Sequence, residues 1–328
     1  MRFRTPLAAA LAALLAVAAA TGCTGTQAPP VDKPAEVVRP VRIGTLPTED
    51  ALPLWVAEQQ GVFAKVGLDD VEIVTFQAAQ ERDTAFTSGA IDAFMGDLIA
   101  AANLEHAGTS VTVATVMLGS TPAEGRFGIV SAPKSGITTL SALAGVPIGT
   151  SSDTIQEYVL DGLMRQSGIP ADKVKKEEVK KVPVRFDLLM AGKLKAAALP
   201  EPLLSLAIKQ GATLVADDTK GENLSQTVLV FSDAFLRSEG GIETEAKVLD
   251  AWDMGVDAVD ADPDSWRGLL VEKARLPEPI KDTYEVETYP KSDAPTAEQV
   301  DAVLAWMKGK GLLGKRPVTY ESLVIVTP

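Results

Sequence analysis

The chain has 328 residues, 46% hydrophobic and 23% charged, with 31 Lys and Arg against 44 Asp and Glu and a formal net charge of −13. That length suits two domains with a large apolar core, and the acidic balance excludes broad electrostatic binding to nucleic acid or anionic lipid. A single Cys and a single His exclude a disulfide framework and a thiolate-rich metal site and leave almost no room for a His-based one, so neither metal nor cofactor is expected.

Residues 1–22 read as a signal peptide: Arg2 and Arg4 precede the apolar run Leu7–Ala20, and small residues lead into Cys23. The run is short for a membrane span and has a secretory layout. The position of Cys23 resembles a bacterial lipoprotein signal, in which cleavage leaves this Cys as the lipidated first residue. An ordinary signal peptide with a coincidental Cys is the alternative. Residues 23–40, with four Pro, follow as a flexible tether.

From Val41 onward a pattern of strands and helices appears and then repeats. Val41–Thr45 is a strand, 52–60 a helix stopped by Gly61, 71–76 a β-branched strand and 79–88 a helix stopped by Gly89. Residues 91–95 form a strand, Asp97 is an N-cap for 98–107, Gly108 is the stop, and 111–116 is a strand. Landmarks recur 103 to 108 residues later: Val146–Thr150 matches Val41–Thr45, Gly168 matches Gly61, Val179–Val184 matches Val71–Phe76, and Gly192 and Gly211 match Gly89 and Gly108. Alternating strands and helices imply right-handed crossovers and a mainly parallel, helix-covered sheet in each unit. Thr227–Phe231 is a further strand, and 243–258, 264–275 and 296–309 are helices that return to the first lobe. The expected lobes are 41–127 plus 232–328, and 128–231.

The stretch Ala51–Leu68, ALPLWVAEQQGVFAKVGL, with Ser88–Asp92, Leu140–Gly149 and Leu199–Pro202, resembles the solute-binding proteins of the nitrate/sulfonate/taurine and thiamine-pyrimidine group. The resemblance implies an α/β, two-lobed type 2 periplasmic-binding fold with a ligand cleft between the lobes. It also implies a function: an extracytoplasmic, membrane-tethered monomer that captures a small organic molecule by hinge closure and delivers it to an ABC permease and ATPase.

In open α/β sheets, ligands sit beyond the carboxyl ends of strands, where helix N-termini point. The repeat puts 45–55, 96–98, 150–154 and 199–203 there. The candidate ligand residues are Thr45, Pro47, Asp50, Trp55, Gly96, Asp97, Arg126, Ser151, Ser152, Thr154 and Glu201. Each has a plainer role beside it. Glu49 and Asp50 suit a helix N-terminus, Trp55 suits core packing, and Asp97 suits a cap. Thr154 with Glu157, or Asp153 with Gln156, suits a capping box, and Arg126 suits an interlobe ion pair. Two or more acids in the cleft would favour a nitrogen-rich heterocycle or amine over nitrate or a sulfonate, because a desolvated carboxylate beside an anion costs free energy. The competing functions are a ligand-sensing lipoprotein and a pyrimidine-synthase-like enzyme. The enzyme reading has only His106, at a helix end where an imidazolium complements the dipole.

Overall fold

The computed structural model describes residues 37–314 and 316–324. The signal peptide, Cys23 and the tether as far as residue 36 lie outside the described residues. Among the described residues, ten strands form two five-stranded sheets. The first has the order β2 (Val71–Thr75), β1 (Val41–Thr45), β3 (Ala93–Asp97), β10 (Thr227–Ser232), β4 (Val111–Leu118). The second has the order β7 (Lys175–Glu178), β6 (Pro147–Thr150), β8 (Ala196–Pro200), β5 (Phe127–Ser131), β9 (Thr213–Asp217). In each sheet one strand runs against the other four: β10 is antiparallel to β3 and β4, and β5 to β8 and β9. The two sheets share one topology, as the repeat implies.

The helices among the described residues are α1 (Leu52–Gln59), α2 (Val62–Lys65), α3 (Ala79–Thr87), α4 (Leu98–Ala107), α5 (Ile155–Gln166), α6 (Val182–Met190), α7 (Leu203–Lys209), α8 (Asp233–Leu236), α9 (Gly241–Ala261), α10 (Arg267–Lys273), α11 (Ala297–Gly309) and α12 (Tyr320–Val324). Local chemistry sets their ends. Asp97 accepts from Ala100 N–H at 2.8 Å and caps α4, and Gly108 at φ 103° ends that helix. Thr296 and Gln299 form a reciprocal capping box at the start of α11.

Two expectations need correction. Residues 179–184 are not a strand: the partner of β6 is Lys175–Glu178, and α6 opens at Val182 with Pro183 in its first turn. The true edge strand, Lys-Lys-Glu-Glu, is exposed throughout. Its charges guard an open sheet edge and carry no hydrophobic alternation to read. The strand at 227–232 belongs wholly to the first sheet, so a lobe boundary at 231 divides a strand that pairing keeps whole.

The chain passes between sheets twice, through 119–126 and 218–226. These crossings are tied to each other: the Asn223 amide donates to Gly119 O at 2.7 Å and to Ser120 O at 3.0 Å. Gly119, at φ 83°, lets them approach, since a Cβ there would lie 2.4 Å from Ser225 O. The hydrophobic core forms two clusters, and each draws residues from both sheets. The sheets are therefore packed together along the cleft.

Candidate functional site

The carboxyl ends of β1, β3, β6 and β8 point into this interface. Thr45 ends β1, fully buried, its hydroxyl 3.0 Å from that of Thr75. The chain then turns through Pro47 and Thr48 into a short 3-10 segment, Glu49–Ala51, that leads into α1. Thr48 Oγ1 donates to Asp50 at 2.6 Å. Glu49 is buried: the Tyr284 hydroxyl donates to its carboxyl, and Tyr289 donates to its backbone carbonyl at 3.0 Å. Across the interface, Glu201 follows β8 and accepts from Ser205 N–H and Oγ–H at 3.0 and 2.8 Å. Arg126, just before β5, lies 3.5 Å from Glu201 and 3.0 Å from Asp217.

Between these groups runs the segment 281–296. It is anchored to β4 by Val116 N–H donating to Asp293 O and Asp293 N–H donating to Thr115 Oγ1, both at 2.9 Å. It brings Glu287 into the electrostatic field of Glu49, Glu201 and Arg126. Arg126 thus pairs with Glu201 and Asp217 and acts on Glu287, while Glu49 and Asp50 lie within the field of Glu287. Burial, then Glu287 and Glu201, push Glu49 well above the usual carboxylate range. Burial, reinforced by Glu201, pushes Glu287 up to about 7, opposed by Gly125 N–H and Arg126. Burial also raises Asp50 and Glu201. Near neutral pH Glu287 therefore exchanges its proton, so it can donate to a bound acceptor or, once ionised, accept from N–H groups. Among the described residues, no group of His, Cys, Asp or Glu side chains is arranged to hold a metal ion.

The structure pairs Arg126 with Glu201 and sets Asp50 within the field of the same Glu287, with Thr45 and Pro47 on the turn leading to Asp50. Arg126 pairs with Glu201 and Asp217, which flank strands of its own sheet, and not across the lobes. Asp97 faces the second lobe beside Ile155 and Tyr158, across a cavity of about 10 Å³, the room of one water-sized sphere. Its oxygen caps α4, and burial raises its pKa.

Other candidates are occupied differently. Trp55 lies in the core, 1% exposed. Gly96 is explained by packing, since a Cβ would meet the Phe94 ring at 2.7 Å. Ser151 is buried. Ser152 donates from both N–H and hydroxyl to Glu178, and Thr154 donates to Ser151 O at 2.7 Å. The capping box expected at Thr154 is not formed; instead Glu157 accepts from Asp153 N–H at 2.7 Å. His106 accepts from Gly314 N–H at 3.1 Å and so fastens the C-terminal region to α4.

Tyr284, Glu287 and Tyr289 escaped the sequence reading because their segment has no period. One signal was present: two of the four Tyr in the chain fall within six residues there.

A family model for the NMT1-like family matches residues 34–239. The chain belongs to the NMT1-like family. Solved structures extend the likeness over both sheets. The alkanesulfonate-binding protein SsuA from Xanthomonas axonopodis pv. citri, bound to MOPS, is 18% identical with a TM-score of 0.72, over 88% of this chain and 99% of that one. The periplasmic aliphatic sulphonate-binding protein SsuA from Escherichia coli is 18% identical with a TM-score of 0.73, over 85% and 95%. The periplasmic nitrate-binding protein NrtA from Synechocystis PCC 6803 is 14% identical with a TM-score of 0.67, over 88% and 85%. No curated protein matches by sequence. At such identities the likeness is one of fold: this NMT1-like chain has the two-lobed type 2 periplasmic-binding architecture, and the neighbours named are binding proteins.

Proposed function

We propose that this protein is the solute-binding component of an ABC importer, working outside the cytoplasmic membrane and tethered to it through a lipid on Cys23. Two lobes joined by the crossings at 119–126 and 218–226 close on one small organic molecule and hand it, unchanged, to a permease and ATPase. Family membership and the fold shared with sulfonate- and nitrate-binding proteins support this reading.

The observation that carries the choice of ligand is the excess of carboxyls over cations at the interface. Glu201 and Asp217 already neutralise Arg126, and Glu49, Asp50 and Glu287 add further carboxyls within one another's fields. A sulfonate or nitrate there would face several acids for one engaged guanidinium. A nitrogen-rich heterocycle or amine would instead meet acceptors suited to its N–H groups.

The test is a thermal-shift screen of protein lacking residues 1–23 against aminopyrimidines, amines, taurine, alkanesulfonates and nitrate. A ligand at about 100 times its Kd should add roughly 2.7 kcal/mol of stability. Shifts with N–H-rich compounds alone are expected, and Glu201→Gln should abolish them. Shifts confined to sulfonates or nitrate would overturn the ligand choice and move the site to Ser151, Ser152 and Arg126.

A further inference from the structure

Helix α11 belongs to the first lobe. Val300, Val303, Leu304 and Met307 are buried along its inner face, in a cluster shared with α4 and α12. Its C-terminal end reaches the second lobe. Trp306 Nε1 donates to Asp161 Oδ2 at 3.0 Å, and the Trp306 ring meets Tyr158 edge-on with centroids 5.4 Å apart. Just past the helix, Lys310 Nζ lies 2.5 Å from Glu157 Oε2, 3.4 Å from Asp153 Oδ1 and 5.2 Å from the Trp306 ring centre. The three acids it meets with Trp306 are spaced four apart, which puts them on one face of α5 and its entry.

Glu157 is the centre of this contact. Its side chain is only 3% exposed, and its second oxygen accepts from Lys176, 2.7 Å away on the neighbouring strand β7. Burial alone would raise its pKa; Lys176 and Lys310 overcome that and hold it below the ordinary value. Lys310 is thus the one of these two partners that comes from the other lobe. The same Glu157 oxygen that meets Lys310 also accepts from Asp153 N–H, where the backbone has φ 60°, at the entry to α5.

We propose that Trp306 and Lys310 form an interlobe latch that holds the two lobes closed by gripping α5. Opening strips Lys310 from a buried carboxylate and leaves the Trp306 N–H without its acceptor, while Glu157 keeps Lys176. The closed state is therefore favoured before any solute arrives, and the latch sets how often the cleft opens. This concerns the lobes' own equilibrium and stands whatever the solute is.

The test uses no solute. In the full chain carrying Cys23→Ser, no other Cys remains, so cysteines introduced at exposed Ser88 and Lys193, one per lobe, can be spin-labelled uniquely. The parent should give one dominant interlobe distance. Lys310→Met should add a second, displaced distance population, with the closed-to-open ratio lowered at least tenfold, and Trp306→Phe should do the same to a smaller degree. Lys310→Arg, which keeps the charge, should restore the parent distribution. Each variant is checked by thermal melt. Distributions identical to the parent in folded Lys310→Met and Trp306→Phe, or opening in Lys310→Arg equal to that in Lys310→Met, would overturn the latch.

Discussion

Replacing Glu287 by Gln should make the protein more stable at pH 8 and change it much less below pH 4.5. The carboxyl of Glu287 sits at about 7 in the fold against an ordinary 4.5, chiefly because of burial and the nearby Glu201. The folded chain consequently holds a proton on Glu287 between those values that the unfolded chain releases. The stability this proton confers is complete below about pH 4.5 and is lost as pH rises through about 7. At 1.36 kcal/mol per pH unit, the full displacement corresponds to about 3 kcal/mol, and partial exposure reduces it to about 2 kcal/mol. Gln keeps an acceptor for Gly125 N–H and carries no charge, so the variant escapes the loss. Urea or thermal melts from pH 4.5 to 8 read this directly, with a gain at pH 8 of roughly 4 °C in midpoint. Glu49, Asp50, Glu201 and Asp218 also rise on burial, so the variant should show a shallower decline, not a flat one. Parallel pH profiles for parent and variant, or a variant less stable at pH 8, would refute the account.

Other substitutions test the hinge and the cap. Gly119→Ala combines a φ of 83° with a Cβ placed 2.4 Å from Ser225 O, and should cost more than about 2 kcal/mol in denaturant unfolding; a loss under 0.5 kcal/mol would mean that the crossings readily part. Asp97→Ala removes the α4 cap and should cost about 1 kcal/mol, whereas Asp97→Ser should restore most of it. If Asp97→Ser recovers stability while solute affinity in the thermal-shift assay stays lost, Asp97 contacts the solute as well as capping the helix.

The sheets were legible because their order repeats. Val41–Thr45 and Val146–Thr150 carry the same apolar alternation and begin the same topology, so the central parallel strands could be placed. The charged β7 could not, because an exposed edge strand selects for solubility instead of hydrophobic period. At the site, Asp50, Arg126 and Glu201 were accessible because they sit at the ends of recognisable strands. Glu287 and the tyrosines that bind Glu49 were not: they reach the interface on an aperiodic segment whose course is set by contacts to Thr115 and Val116. Trp55, on α1 after β1, and Gly96, near the end of β3, lie in the expected regions, yet both pack into the core; position in a topology does not say which way a side chain faces.

The placement of β10 has a consequence for biogenesis. Among the described residues β4 pairs with β10 alone, and β10 comes after the entire second sheet in the chain. A polypeptide emerging N-terminus first must therefore carry β4 as an unpaired apolar strand until Thr227–Ser232 appears, while every strand of the second sheet is already available to fold. Closing so long a loop is slow and leaves a sticky edge exposed meanwhile. The second sheet should gain protection from hydrogen exchange first during refolding. The first should complete only when the returning strand slots in, making that single strand the step on which escape from aggregation depends.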